Sequence, residues 1–144
     1  MKAVIQRVTR ASVTVNNEIC GQIGKGYLVL LGVGLDDNED DCKRIADKII
    51  NLRIFSDEND KINLSLKDVD GSLLIVSQFT LYADCRKGNR PNFIQAGKPA
   101  DAERLYNFFA DYCAEKVPVV ERGIFGADMK VELLNDGPFT IILE

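Results

Sequence analysis

Tyr27-Leu28-Val29-Leu30-Leu31-Gly32-Val33 and Ser72-Leu73-Leu74-Ile75-Val76 are the two stretches from which the fold of this chain is read. Both are almost continuously apolar, where a strand with one face in water would alternate. Both are short, and Asp70-Gly71 places a turn signal just before the second. A strand buried on both faces fits each run.

Towards the N-terminus, Val4, Gln6 and Val8 alternate with Ile5 and Arg7, and Val13 and Val15 alternate with Ser12 and Thr14. Asn16-Asn17 then reads as a turn into a return strand through Ile19 and Ile23. Beyond the first apolar run, Asn38 is placed to cap a helix whose first turn carries Glu39, Asp40 and Asp41, favourable at the positive end of its dipole. Cys42, Ile45, Ala46, Ile49 and Ile50 recur at helical spacing and form its apolar stripe. Leu52, Ile54 and Phe55 suggest a short strand, closed by the polar turn 56–60.

Beyond the second run, residues 84–98 are rich in charge, Gly, Asn and Pro and read as a long loop. Pro99 suits the first turn of a second helix, with Leu105, Phe108, Phe109, Tyr112 and Cys113 as its stripe and Pro118 beyond its end. Three strands follow in expectation: 119–122, 129–134 and 139–143, with Asn135-Asp136-Gly137-Pro138 as a tight turn between the last two. The sum is an α+β chain, β-rich, with two principal helices, expected to form a single domain over 1–144.

Composition narrows the chemistry. The chain has 144 residues, four scattered cysteines, no histidine and a net charge of −4. Without histidine there is no Ser-His-Asp triad, no Cys-His dyad and no imidazole base, and the common Cys/His zinc sites are unavailable. Any hydrolysis must use another base, a metal, or a group carried by the substrate. The cysteines read as reduced thiols, and Gln6 and Arg7 interrupt any apolar signal core, so a cytoplasmic location is expected. The apolar stretch from Tyr27 to Leu35 is too short to span a bilayer. Bulk charge argues against general affinity for nucleic acid, although Arg86, Lys87 and Arg90 cluster in the long loop.

Two segments carry chemistry. Ser77-Gln78-Phe79-Thr80 leaves the apolar strand where hydroxyls, an amide and backbone N–H groups can hold a carbonyl oxygen as it gains negative charge. The alternative is a set of ordinary hydrogen-bonded residues at a strand end. Gly137-Pro138 reads either as a plain turn or as two carbonyls uncrowded by a β-carbon on the glycine.

Ser77-Gln78-Phe79-Thr80-Leu81 together with Asn135-Asp136-Gly137-Pro138-Phe139-Thr140 resembles the D-aminoacyl-tRNA deacylase family. The opening Met1-Lys2-Ala3-Val4-Ile5-Gln6-Arg7-Val8, the loop Gly88-Asn89-Arg90-Pro91 and the segment Gly123-Ile124-Phe125-Gly126-Ala127-Asp128-Met129 resemble it too, in the same order along the whole chain.

The resemblance implies a homodimer of compact, barrel-like β-rich fold that hydrolyses the ester between a D-amino acid and the 3′ end of tRNA, without metal or other cofactor. It implies a cis Gly137-Pro138 peptide inserted by one subunit into the other's site, where it rejects L-side chains and lets glycine through. Ser77, Gln78, Phe79 and Thr80 would be catalytic, either with Thr80 as nucleophile or with backbone N–H donors assisted by the terminal 2′-OH of the tRNA. Phe125 and Met129 would line an adenosine pocket, and Arg7 would fasten the Gly-Pro loop. Arg86, Lys87, Arg90 and Lys98 would meet tRNA phosphates. A catalytically silent RNA-binding module would keep the basic loop without needing the other two features.

Overall fold

The computed structural model describes residues 1–144. In chain order its elements are β1 (Lys2–Val15), β2 (Glu18–Ile23), β3 (Gly26–Gly32), α1 (Glu39–Asn51), β4 (Arg53–Ser56), β5 (Ile62–Ser65) and β6 (Ser72–Ser77), then α2 (Pro99–Ala114), β7 (Val120–Arg122) and β8 (Lys130–Leu143). A single 3₁₀ turn over Phe79–Tyr82 follows β6.

The two apolar runs are neighbouring parallel strands, with Tyr27 opposite Leu73 and Leu31 opposite Ser77. Their side chains divide by parity. Tyr27, Val29, Leu31, Leu73 and Ile75 enter the larger core, shared with Cys42, Ile45 and Ile49 of α1 and Leu105, Tyr106 and Phe109 of α2. Leu28, Leu74 and Val76 face the other way and meet Val8, Ala11, Val13 and Ile23 in a second, smaller core. Each side chain so buried stabilises the fold by about 1.5–3 kcal/mol. Helices therefore cover one face, and the sheet curls to cover the other.

The curl is visible in the strand order β2-β1-β3-β6-β7, with β8 on the outer edge of β1. A β-carbon on Gly21 of β2 would lie 2.9 Å from the Arg122 carbonyl oxygen of β7, so the two ends of the sheet nearly touch. The result is an α+β, barrel-like sheet with two helices packed against it. Strand β1 bends to serve both cores: Ala3 and Ile5 enter the larger, Val8, Ala11 and Val13 the smaller, and its pairing with β8 shifts register on both sides of Val8.

Asn38 caps α1 as its sequence predicts, accepting from the Asp41 N–H while the Asp41 carboxylate accepts from the Asn38 N–H. Asn16 and Asn17 both take positive φ, the form a tight hairpin needs. The last part of the chain corrects an expectation. Residues 130–143 form one strand rather than two, and Asn135-Asp136-Gly137-Pro138 is not a hairpin turn. Both halves of β8 pair with β1, so the chain keeps its direction through the segment. Turn-forming residues here make an outward bulge, which uses the same backbone freedom without reversing the strand. No helix is long and apolar enough to cross a membrane.

The cysteines divide sharply. Cys42 and Cys113 are fully buried between the helices and the sheet, and burial pushes both thiols up to about 12. Cys20 and Cys85 are exposed. Iodoacetamide at pH 8 is predicted to alkylate Cys20 and Cys85 in the native protein and all four thiols in denaturant, as read by intact mass. Rapid native labelling of Cys42 or Cys113 would contradict this packing.

Candidate active site

Strand β6 ends at Ser77, and the chain then turns sharply at Phe79–Tyr82. The turn is anchored from behind. The Gln78 N–H donates to the Leu31 carbonyl at 2.8 Å, and the Tyr82 ring lies where Gly34 has no side chain. Asp37 accepts from the Gly34 N–H at 2.6 Å and from the Tyr82 hydroxyl at 3.4 Å. Within the turn, Leu81 donates to Gln78 and Ala83 to Thr80, and the N–H groups of Phe79 and Thr80, the first two of the 3₁₀ turn, have no acceptor inside it.

A mostly apolar cleft of about 710 Å³ opens beside this turn. Val76, Ser77, Gln78 and Phe79 form one wall, and Phe93, Lys98 and Pro99 come from the long loop and the start of α2. Ala102 and Tyr106 of α2 form the floor with Phe125 to Met129 opposite. The loop is sewn to the sheet by Gly97 donating to Val33 at 2.8 Å and Leu35 donating to Gln95 at 3.2 Å. Phe79 and Phe93 meet edge to face at 4.9 Å between centroids, although Phe79 itself remains 57% exposed.

The cleft holds no poised general base. Its ionisable lining groups are Lys98, Tyr106 and Asp128. Asp128 is engaged by Lys130 at 3.0 Å. The Tyr106 hydroxyl donates to the Ile75 carbonyl at 2.8 Å, with the Gly123 carbonyl at 3.3 Å, and burial holds its pKa up at about 12. What the cleft offers instead are backbone donors, the Gln78 amide and the Ser77 hydroxyl, which suit a polarised carbonyl better than they suit proton removal.

The residues singled out from sequence fall into separate groups. Ser77, Gln78, Phe79, Phe125, Met129 and Lys98 line the one cleft. Thr80 is exposed and outside its lining, and its hydroxyl oxygen accepts from the Gln78 side-chain amide. An amide N–H cannot take the hydroxyl proton, so Gln78 does not activate Thr80. Arg86 is held by Asp84 through two hydrogen bonds, of 2.9 and 2.7 Å, while Lys87 and Arg90 stand exposed further along the loop.

Gly137 and Pro138 are exposed and absent from this cleft. They lie opposite Arg7, which pairs with Tyr27 and through it with Leu73, four residues before Ser77 (77 − 73). The offset is roughly 13 Å along the strands and three strand spacings across them. The Gly137–Pro138 peptide is cis. Arg7 reaches this bulge directly, its Nε donating to the Asp136 carbonyl at 2.9 Å and one terminal nitrogen to the Ile54 carbonyl at 2.6 Å.

Two contributors escape the sequence reading. Tyr106 stands at helical spacing from Ala102, Phe109 and Cys113, so the stripe of α2 would have revealed it as buried. Asn135 heads an Asn-Asp-Gly run and looks like turn chemistry, yet its side chain spans the bulge.

The family model described as D-Tyr-tRNA(Tyr) deacylase matches residues 4–144. The chain is 54% identical over 144 residues to a D-aminoacyl-tRNA deacylase of Clostridium novyi (strain NT), and 57% identical to one of Thermosipho africanus (strain TCF52B). Both alignments cover 100% of this chain and 97% of the relative. Among solved structures it is similar to the c-Myc DNA unwinding element binding protein, with a TM-score of 0.94 and 46% identity over 100% of this chain and 98% of that one. A probable eukaryotic D-amino acid tRNA deacylase shares the fold with a TM-score of 0.83 at 19% identity, over 99% and 97% of the two chains.

Tyr106→Phe is predicted to lower unfolding stability by about 1–3 kcal/mol in urea denaturation, since it removes the hydroxyl that donates to the buried Ile75 carbonyl. An unchanged midpoint would show that this link between α2, β6 and the cleft contributes nothing.

Proposed function

The chain belongs to the D-Tyr-tRNA(Tyr) deacylase family, and from that premise we propose how it hydrolyses a D-aminoacyl-tRNA. The observation that carries the proposal is a cleft walled by Ser77–Phe79, beside a 3₁₀ turn whose Phe79 and Thr80 N–H groups have no acceptor within the turn, and whose one lining carboxylate, Asp128, is paired with Lys130. The terminal adenosine enters between Phe125 and Met129 on one side and the Ser77–Phe79 wall on the other. The ester carbonyl then faces the 3₁₀ turn.

Water attacks the carbonyl carbon, and the free 2′-OH of the terminal ribose assists removal of its proton. The N–H groups of Phe79 and Thr80 hold the oxyanion. Collapse expels the ribose 3′-oxygen, which takes up a proton, and the D-amino acid leaves. Preorganised donors of this kind each contribute about 10²–10³-fold to rate. Ser77 and Gln78 position the ribose. A nucleophilic Thr80 is the less favoured mechanism, because the one side chain bonded to its hydroxyl, the Gln78 amide, cannot take its proton.

Stereochemistry is assigned to a second copy of the chain. Gly137 and Pro138 are exposed on the bulge and lie outside the lining of their own cleft. Strand β8 has a free outer edge beside exposed Leu134 and Ile142. A homodimer that covers this edge brings the Gly137-Pro138 carbonyls of one copy to the other's cleft, where they receive the substrate α-ammonium. A D-side chain then points outward, and an L-side chain meets the bulge. Glycine has nothing to reject and is hydrolysed. Lys87, Arg90 and Lys98 meet phosphates of the acceptor stem, and Arg86 joins them when it leaves Asp84.

The exposed Lys87 and Arg90 support a second reading, a nucleic-acid-binding module without catalysis, which the name of the c-Myc DNA unwinding element binding protein also suggests. Ester loss separates the two readings. The purified chain is predicted to accelerate hydrolysis of D-tyrosyl-tRNA and glycyl-tRNA but not L-tyrosyl-tRNA. Thr80→Ala keeps most of the activity, whereas a terminal 2′-deoxy substrate slows it by about 10²-fold or more. No acceleration with the D-substrate would end the proposal. Loss on Thr80→Ala with the deoxy substrate still cleaved would restore Thr80 as nucleophile.

A further inference from the structure

Pairing of β1 with β8 runs from Gln6–Thr140 to Val8–Asn135. Across that interval β1 advances two residues (6 to 8) and β8 five (135 to 140). Asp136, Gly137, Pro138 and Phe139 therefore stand opposite Arg7 alone. Three main-chain groups lose their ladder partners at the base of this excursion: the Arg7 carbonyl and both the N–H and the carbonyl of Phe139.

The Asn135 side chain satisfies all three. Its Oδ1 accepts from the Phe139 N–H at 3.0 Å, and its Nδ2 donates to the Phe139 carbonyl at 3.0 Å and to the Arg7 carbonyl at 2.9 Å. A primary amide carries the same donor and acceptor as a peptide unit, so the side chain stands in for the missing strand partner. Aspartate has no donor for the two carbonyls, serine is too short, and glutamine adds a methylene that pushes the amide out of line.

The neck is fixed from the other side as well. Arg7 holds the Asp136 carbonyl and lies over the Phe139 ring at 4.6 Å, and that ring packs on the larger core. The exposed Gly137 and Pro138 are thus suspended between two anchored residues. Gly137 has no spare room either, because a β-carbon there would lie 2.1 Å from the Phe139 nitrogen.

We propose that Asn135 is a positioning residue for stereochemical selection: its carboxamide replaces the absent ladder peptide and holds Gly137-Pro138 at a fixed height, so that the bulge does not yield to an L-side chain. This rests on the reading of Gly137-Pro138 as the rejecting surface given above. Asn135 touches no substrate and acts only through the bulge.

The test compares wild type, Asn135→Ala, Asn135→Asp and Gly137→Ala on D- and L-tyrosyl-tRNA, with amide hydrogen exchange at Phe139 in the native protein. Asn135→Asp is nearly isosteric and decides the matter if the alanine variant does not fold. Both Asn135 variants are predicted to speed Phe139 exchange and to lower the D-over-L ratio of kcat/KM by about tenfold, alanine losing three part-buried hydrogen bonds and aspartate the two that need a donor. The fall comes from a rise in the L-rate while the D-rate holds. An unchanged ratio, or an equal loss for both substrates, while Gly137→Ala leaks L would overturn the role of Asn135 alone. If Gly137→Ala also leaves the ratio unchanged, the rejecting-surface reading fails and the inference falls with it.

Discussion

Strands β3 and β6 are apolar on both faces, and neither face can be left to water without forfeiting several buried leucines, isoleucines and valines. Parallel neighbours of this kind need cover on each side. The chain has only two helices, which pack together on one side. The other face is covered by the sheet itself, as β1 bends and β2 is drawn against β7. The polar end of β6 then emerges at the rim of the sheet, beside the start of α2. The cleft sits at that rim, so the constraint that shapes the core also places Ser77 to Phe79 at its mouth.

The second consequence concerns β1. It carries β8 along one whole side and β3 and then β2 along the other. A strand shared so widely does not slip, since a one-residue shift would exchange its buried and exposed faces. Four residues of β8 can therefore leave the ladder, and its register with β1 shift there, while β1 keeps its pairing with β3, provided the groups they abandon are satisfied. Arg7 and Asn135 do this from opposite sides. The bulge is local in its chemistry and global in its support, which suits the rejecting role proposed for it.

Much of this was legible in the sequence. Continuous apolarity in 27–33 and 72–76 identifies the central strands, Asn38 with Asp41 marks a helix start, and Pro99 marks another. The end of the chain reads locally as a hairpin because Asn-Asp-Gly-Pro carries turn chemistry, and turn and bulge draw on the same residues. Only long-range pairing with β1 distinguishes them, and no local pattern records it. The same holds for Asn135, whose partners are Arg7 and Phe139, and for Asp37, which meets the 3₁₀ turn through Tyr82 from 45 residues away. Thr80 illustrates the reverse: its residue type suggests a nucleophile, while its exposure and its hydrogen bond from Gln78 point to its backbone instead.

In the proposed dimer, the cleft of one copy is completed by the bulge of another. Mixed dimers test it directly, using Ala127→Trp to fill the cleft and Gly137→Ala to disturb the bulge. A dimer of one Ala127→Trp chain and one Gly137→Ala chain contains, on this account, one wholly intact composite site, and should hydrolyse D-tyrosyl-tRNA while sparing the L-form. A dimer of one wild-type chain and one chain carrying both changes should lose that selectivity, because its only open cleft faces the disturbed bulge. The opposite pattern, with selectivity following the chain that has both segments intact, would contradict the account.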